Sequence, residues 1–437
     1  APRGAGPLDP AQEGAAPGGQ PAPAPAKDRM PPRGSLAVVY AFQLVTNTGM
    51  AIIFPTALSY SEQLGAGAAF SGVMVAVLPF ACFLGNYPMQ KLMENVPLKT
   101  IFYVQTAGNV VANVLYACAG LTHSRWTLLV ARVTMGLCGQ NSPVLVYISR
   151  SVGLNHRSWA MMALSSTMGL GYVLGPLFAF VTSVFCKELR VDNLVVDQNT
   201  LPGWFMALLW FVLLVSQPFL YKEPRAGGGV EGQTFVTHRP PQEERPRVRA
   251  ILLLLFLQVV GGMVFSLWEV FAALHCTRSW GWSDGTAGLY MACVMGSLLA
   301  ICVFCSLYVV SKFADRSVLV CCCTAATCAA PFLFDYGTPR VASVWLFTVG
   351  SFALLSFCQL FRGSCTALGS KVIPNSMQAQ MSTWIAMANN FGRGVGPLVG
   401  SHAQIQVFAA VNLCVMGAAV AGTMATFGHL KPHAKAT

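Results

Sequence analysis

Charge is what this sequence lacks. Asp, Glu, Lys and Arg make up 10% of its 437 residues, where a soluble domain carries roughly 25%. A chain so poor in charge cannot cover a water-facing surface, which excludes a soluble globular protein. Other absences narrow the field further. No Asn-x-Ser/Thr acceptor occurs. The 15 cysteines are scattered through apolar stretches, with Cys321, Cys322 and Cys323 in one run, and no pair has metal-ligand spacing flanked by other ligands. The seven histidines fall mostly in polar loops and tails, and none sits in a defensible Ser/His/Asp arrangement. Gly-x-Gly runs lie inside apolar segments, a context that excludes phosphate-cradling loops. Neither an enzyme nor a cofactor is expected.

What the chain has is apolar length. Continuous apolar runs recur from residue 36 to residue 428, and about twenty such residues in a helix cross the hydrocarbon core of a bilayer. Only helices or closed barrels satisfy the backbone in lipid, and continuous runs without alternation select helices. The sequence therefore predicts an all-α membrane protein of about twelve transmembrane helices, at 36–60, 70–91, 98–120, 125–147, 159–185, 202–222, 250–274, 286–311, 317–334, 341–362, 377–401 and 403–427. Residues 1–34, rich in Ala, Pro and Gly, read as a disordered tail. Residues 223–249, with five arginines and a Gly227–Gly229 run, read as a polar linker, and 429–437 as a C-terminal tail. Six helices over 35–222, a charged linker, then six over 250–428 is the layout of a two-bundle secondary transporter.

The net charge of +11 is a topology signal. Of 27 Lys and Arg, 14 lie in loops after the even-numbered segments, five after the odd-numbered ones, six in the tails and two inside helices. This bias places both termini and the linker in the cytosol; Arg150, Arg157, Lys312, Arg316 and Lys371 belong to it. No nucleic-acid partner is implied. An internal echo supports the two-bundle layout. Gly175-Pro-Leu177 in the fifth segment and Gly396-Pro-Leu398 in the eleventh are 221 residues apart. Glycines let helix backbones approach closely, and proline loosens a helix where it must bend.

A charge inside the membrane costs about 2.5–3.5 kcal/mol even on gentle scales and marks a functional candidate. Three stand out: Arg132 in the fourth segment, Glu269 in the seventh and Arg393 in the eleventh. Gln258, Gly262, Phe265 and Glu269 share one helical face, as do Asn389 and Arg393. The depths of Glu269 and Arg393 agree closely enough for an ion pair. Such a pair either fixes the bundle or handles substrate and protons; paired buried charges add little net stability, which favours the second reading. Arg132, Gly136 and Gln140 form another stripe, where an inward arginine could hold an oxyanion through two donors or anchor the helix end by snorkelling. Gln43 and Asn47 share a face of the first segment, and Gln359 and Arg362 close the tenth. Arg362 reads more simply as a cytosolic interface residue.

Several motifs resemble a known family. Asn47-Thr48, Phe54-Pro-Thr56, Tyr60-Ser61, Leu64-Gly-Ala66, Gly108-Asn109, Leu115-Tyr-Ala117, Tyr147-Ile-Ser149, Gln198-Asn-Thr-Leu-Pro-Gly-Trp204, Lys222-Glu-Pro224, Gly281-Trp-Ser283 and Arg393 resemble the SPX–major facilitator transporters, the vacuolar phosphate transporters of plants and algae. The lysosomal facilitators of the ceroid lipofuscinosis type resemble it more distantly. The resemblance runs from about residue 40 to 400. It departs in three places. No SPX domain stands in this chain, the usual signature between the second and third helices is not kept, and basic residues expected in the fourth helix are Asn141, Leu145 and Val146 here.

Together these imply a secondary transporter working by alternating access. Inorganic phosphate or another small anion is the favoured cargo, because Arg132 and Arg393 remain. Arg132, Arg393, Glu269, Asn389, Gln43, Asn47, Gln140 and Gln359 would form the site, and Glu269 would couple transport to protons. The resemblance implies a vacuolar or endolysosomal membrane, and the chain is expected as a monomer or weak homo-oligomer with a small molecule or ion and the lipid bilayer as partners. An anion channel on the same scaffold and a solute-binding, non-transporting receptor are the alternatives.

Overall fold

The computed structural model describes residues 30–152, 154–185, 189–191, 194–223, 248–308, 313, 315–372 and 378–430. Most of the expected tails and linker therefore lies outside the described residues. Helix α1 (Arg33–Ala51) and the short α2 (Ala57–Gln63) are followed by α3 (Ala68–Asn95), α4 (Leu98–Thr122), α5 (Arg125–Cys138), α6 (Ser142–Ser151), α7 (Leu154–Phe185) and α8 (Leu201–Leu220). The second half contains α9 (Val248–Arg278), α10 (Asp284–Tyr308), α11 (Asp315–Ala329), α12 (Arg340–Val372), α13 (Gln378–Gly400) and α14 (Ile405–Ala425). A small antiparallel hairpin, β1 (Leu189–Val191) with β2 (Leu194–Val196), joins α7 to α8.

Among the described residues, nine helices are long and apolar enough to cross a membrane. The other three predicted segments fail that test for informative reasons. The first is broken at 52–56, between α1 and α2, where Pro55 cannot donate to the helix ladder, and α1 alone is too polar to pass, with Gln43, Thr46, Asn47 and Thr48 in its second half. The fourth is broken at Gly139–Asn141, between α5 and α6. The eleventh, α13, is whole but carries Asn389, Asn390 and Arg393. Irregular backbone at membrane depth survives only where protein or a cavity covers it; Ile52–Thr56, Gly139 and Gln140 are all buried. Broken crossings and a polar crossing are features that transporters place around their substrate site. The outside of the bundle is apolar in turn: Phe185 and Phe219 are each 79% exposed, untenable in water and suited to lipid.

The two halves repeat one packing unit. Gly171 and Gly175 of α7 lie against Leu44, Thr48 and Ala51 of α1 and Ile52 just after it, and Gly392 and Gly396 of α13 lie against Val259, Met263 and Leu267 of α9. The glycines are 221 residues apart (171 to 392, 175 to 396), and their partners are all 215 apart (44 to 259, 48 to 263, 52 to 267). The echo therefore has a physical cause: α1 and α7, and α9 and α13, pack backbone to backbone. A Cβ at Gly396 would come within 2.6 Å of the Leu267 nitrogen and the Met263 carbonyl oxygen. Gly396→Leu is expected to lose roughly 1–3 kcal/mol through overpacking, seen as a lower thermal midpoint of the purified protein.

Between the halves, α3 packs on α13 and α7 on α10. Successive crossings alternate in direction, so the start of α1, the end of α8 and the start of α9 share one face, called here the terminal face. At the opposite, far face the halves are closed. Gly72 of α3 abuts Ser401 and Pro397, and Gly288 of α10 abuts Pro176 and Ala179 of α7. The Gln198–Trp204 motif is part of this far side. Asp197 accepts hydrogen bonds from the backbone of Asn199 and Thr200 and from Gln63, while Ser59 donates to Asn199. This ties the loop before α8 to α2. Gly203 lets α8 sit on Tyr116 and Ala117 of α4.

Candidate functional site

A cavity of about 460 Å³ lies between the halves. Its walls come from α1, the α5–α6 break, α7, α9, α10, α12 and α13. On α7 the lining residues fall between Met162 and Tyr172, on α10 between Met295 and Val303, and on α12 between Gln359 and Ala367. Those are the portions nearer the terminal face, so the cavity reaches toward that face while the far face is shut.

The charged centre of the cavity is built on α9, α12 and α13. Arg393 Nη2 donates to both Glu269 carboxylate oxygens, at 3.1 and 3.0 Å, and its Nη1 donates to the Tyr172 hydroxyl. Glu269 is fully buried, and Arg393 lines the cavity. The pair is therefore bidentate on one side and open to the cavity on the other. The close backbone contact of α13 with α9 makes this possible, because Gly262 and Gly392 admit the opposing helix. Gln258, Gly262, Phe265 and Glu269, the stripe expected on one face, all point to α12 and α13. Gln258 donates to the Arg362 carbonyl and to Thr366, at 3.1 Å each, and Gly262 meets Asn389.

Arg362 corrects the sequence reading. Helix α12 continues ten residues past the predicted end, so Arg362 lies inside the helix. Its Nη1 donates to Gln359 Oε1 at 2.8 Å and its Nη2 to Asn389 Oδ1 at 2.6 Å. Its ring of contacts includes Phe265, whose face the guanidinium overlies at 5.8 Å, and it lines the cavity. Among the described residues, no carboxylate pairs with it. Arg362 is therefore not a plain interface anchor: it is a second guanidinium in the cavity, held by neutral amides.

The structure divides the expected site residues into two groups. Asn47, Gln359, Asn389 and Arg393 line the cavity, and Glu269 reaches it through Arg393. Gln43, Arg132 and Gln140 do not line it. Gln43 is buried, and its backbone carbonyl accepts the Asn47 side-chain amide at 2.7 Å. Arg132 is 1% exposed, so it does not snorkel. Its Nε donates to the Met74 carbonyl and its Nη1 faces the Met135 sulphur, both at 3.4 Å. The stripe of Arg132, Gly136 and Gln140 faces α3, because Gly136 abuts Leu78 and Ala81 and the Gln140 amide abuts Gly85. These residues belong to the interior of the first half. Arg132, Gly136 and Gln140 are taken up by α3, and among the described residues of the fourth crossing Asn141 lines the cavity.

Tyr172 and Asn141 are among the lining residues that the sequence reading did not place in the site, and Arg362 is one that it named and then assigned to the interface. Tyr172 was within reach: the 221-residue repeat that matches Gly175 to Gly396 also matches Tyr172 to Arg393, and the two side chains meet across the halves.

Known proteins place this arrangement in context. The chain is 28% identical over 189 residues to an SPX domain-containing membrane protein of Arabidopsis thaliana, a match covering 43% of this chain and 26% of that protein. It is 23% identical over 319 residues to an SPX domain-containing membrane protein of Oryza sativa subsp. indica, covering 62% and 45%. The chain thus spans less than half the length of these relatives. Among solved structures, a D-xylose-proton symporter superposes with a TM-score of 0.70 at 15% identity over 91% of this chain and 97% of that one. A bacterial homologue of the human lysosomal transporter Spinster gives 0.61 at 16% identity over 90% and 93%. Identities this low speak to the fold alone. The family model of the Major Facilitator Superfamily matches residues 38–427, and the chain belongs to that superfamily.

Proposed function

We propose that this chain is a secondary transporter of inorganic phosphate or another small anion, working by alternating access, with Glu269 coupling the cycle to protons. One observation carries this reading: Arg393 is held by Glu269 and Tyr172 while facing a cavity that also contains Arg362, which pairs with no carboxylate among the described residues. An anion entering that cavity competes with the Glu269 carboxylate for Arg393. A carboxylate that loses its guanidinium in a dry site cannot stay charged cheaply, and it takes up a proton instead. Anion and proton then travel together.

The two units that rock are 35–222 and 250–428, joined by the 223–249 linker, as a monomer or weak homo-oligomer. With Arg362 assigned to the cavity, 13 of the 14 Lys and Arg attributed to loops after even-numbered segments remain there. The bias still puts the terminal face, and with it the cavity mouth, in the cytosol. The likeness to the SPX domain-containing relatives supports a vacuolar or endolysosomal membrane.

Uptake of labelled phosphate into proteoliposomes, with and without a pH gradient and beside an Arg393→Ala control, tests the cargo. Saturable uptake that responds to the gradient and disappears in the variant is expected. No uptake by folded, correctly inserted protein would remove phosphate as cargo.

A further inference from the structure

The charged lining of the cavity is on one side and the α10 wall is apolar, while Asn47, Asn141, Ser165 and Tyr172 add polar groups from α1, the α5–α6 break and α7. Arg362, Asn389 and Arg393 stand on α12 and α13. On α10 the lining residues are Met295, Leu298, Leu299, Cys302 and Val303. Their spacing is i, i+3, i+4, i+7 and i+8, one continuous helical face, and none of them carries a hydrogen-bonding group stronger than a thiol. The α10 wall offers nothing to an oxyanion, because an oxygen facing a methyl group keeps its desolvation cost, and it suits instead the apolar body of an organic anion. The volume of about 460 Å³ also falls in the range, roughly 300–1,000 Å³, that takes organic molecules of moderate size.

The charges are unbalanced by one. Among the described residues at the cavity, Arg362 and Arg393 are cationic and Glu269 anionic. Arg393 already shares its charge with Glu269, while among the described residues the Arg362 guanidinium bonds neutral amide oxygens alone and its Nε meets no partner. A ligand with one negative charge neutralises the site as long as Glu269 stays ionised on Arg393.

We infer that the cavity takes an organic monoanion, its charged head on Arg362 and its apolar body along the Met295–Val303 face of α10. This rests on the anion-carrier reading above and names the substrate class within it. Arg362 supplies the resident charge for the head, and Arg393 joins when Glu269 releases it. The apolar face discriminates by length, since each buried methylene adds its own transfer free energy.

The test is binding to the full chain in lipid nanodiscs, with methane-, butane- and hexanesulfonate beside inorganic phosphate and empty nanodiscs as the partition control. Sulfonates keep one charge across the accessible pH range, so the series varies only the body. Affinity is expected to rise roughly two- to fourfold per methylene. Arg362→Gln is expected to weaken every member at least tenfold, and Leu298→Asn to flatten the dependence on length. Binding that is equal across the series overturns the apolar-body inference while leaving the anion-carrier reading intact. A slope unchanged in Leu298→Asn assigns it to lipid and overturns the inference as well. Failure of phosphate and every sulfonate to bind folded protein overturns both readings.

Discussion

Arg393→Gln is expected to lose anion uptake entirely and to lose about 3–5 kcal/mol of stability, because removing one partner of a buried pair strands the other charge. Glu269 is the stranded group. It is fully buried, and the guanidinium it would lose donates to both its oxygens. The double variant Glu269→Gln/Arg393→Gln is expected to recover most of that stability, since two amides of similar shape leave no buried charge. It is not expected to recover uptake. This separation distinguishes a working pair from a static one. If the pair only fixed α9 to α13, stability and uptake would return together. Thermal midpoints and proteoliposome uptake, read on the same preparations of wild type, both single variants and the double variant, complete the cycle.

Glu269→Gln alone should have a second, different large effect. The amide oxygen still accepts from Arg393, so the cavity keeps its shape and the halves still rock. The side chain no longer exchanges a proton at any accessible pH. Exchange of labelled for unlabelled anion across the membrane is expected to persist within about tenfold of wild type. Accumulation of anion driven by a proton gradient is expected to vanish. Gradient-driven accumulation by this variant at the wild-type level would assign coupling to another group.

The halves and most crossings were legible in the sequence because lipid imposes long apolar runs, and each run stands alone in the chain. The Glu269–Arg393 pair was legible for a related reason: a charge in such a run is rare enough to notice. What stayed hidden depended on contacts between segments. Arg362 reads as a positive charge at a helix end until α12 is seen to run on to Val372. Arg132 and Gln140 were placed with Arg393 on periodicity, yet a period says only that residues share a face. The face they share turns to α3, as the contact of Gly136 with Leu78 shows. The break between α5 and α6 had a local signal in Gly139, Asn141, Ser142 and Pro143, a cluster of turn-forming residues. Pro55 marked the other break in the same way. Tyr172 carried no charge to draw attention, and only the 221-residue repeat points to it.

The most direct test of the account is proton uptake on anion binding by the purified protein, in weakly buffered solution with a pH indicator. Glu269 is predicted to take up about one proton as the anion displaces it from Arg393, so the solution turns more alkaline on anion addition in wild type and stays unchanged in Glu269→Gln. Saturable anion binding with no proton uptake by wild type, or with equal uptake by the Glu269→Gln variant, would contradict the claim that this pair opens to admit the cargo.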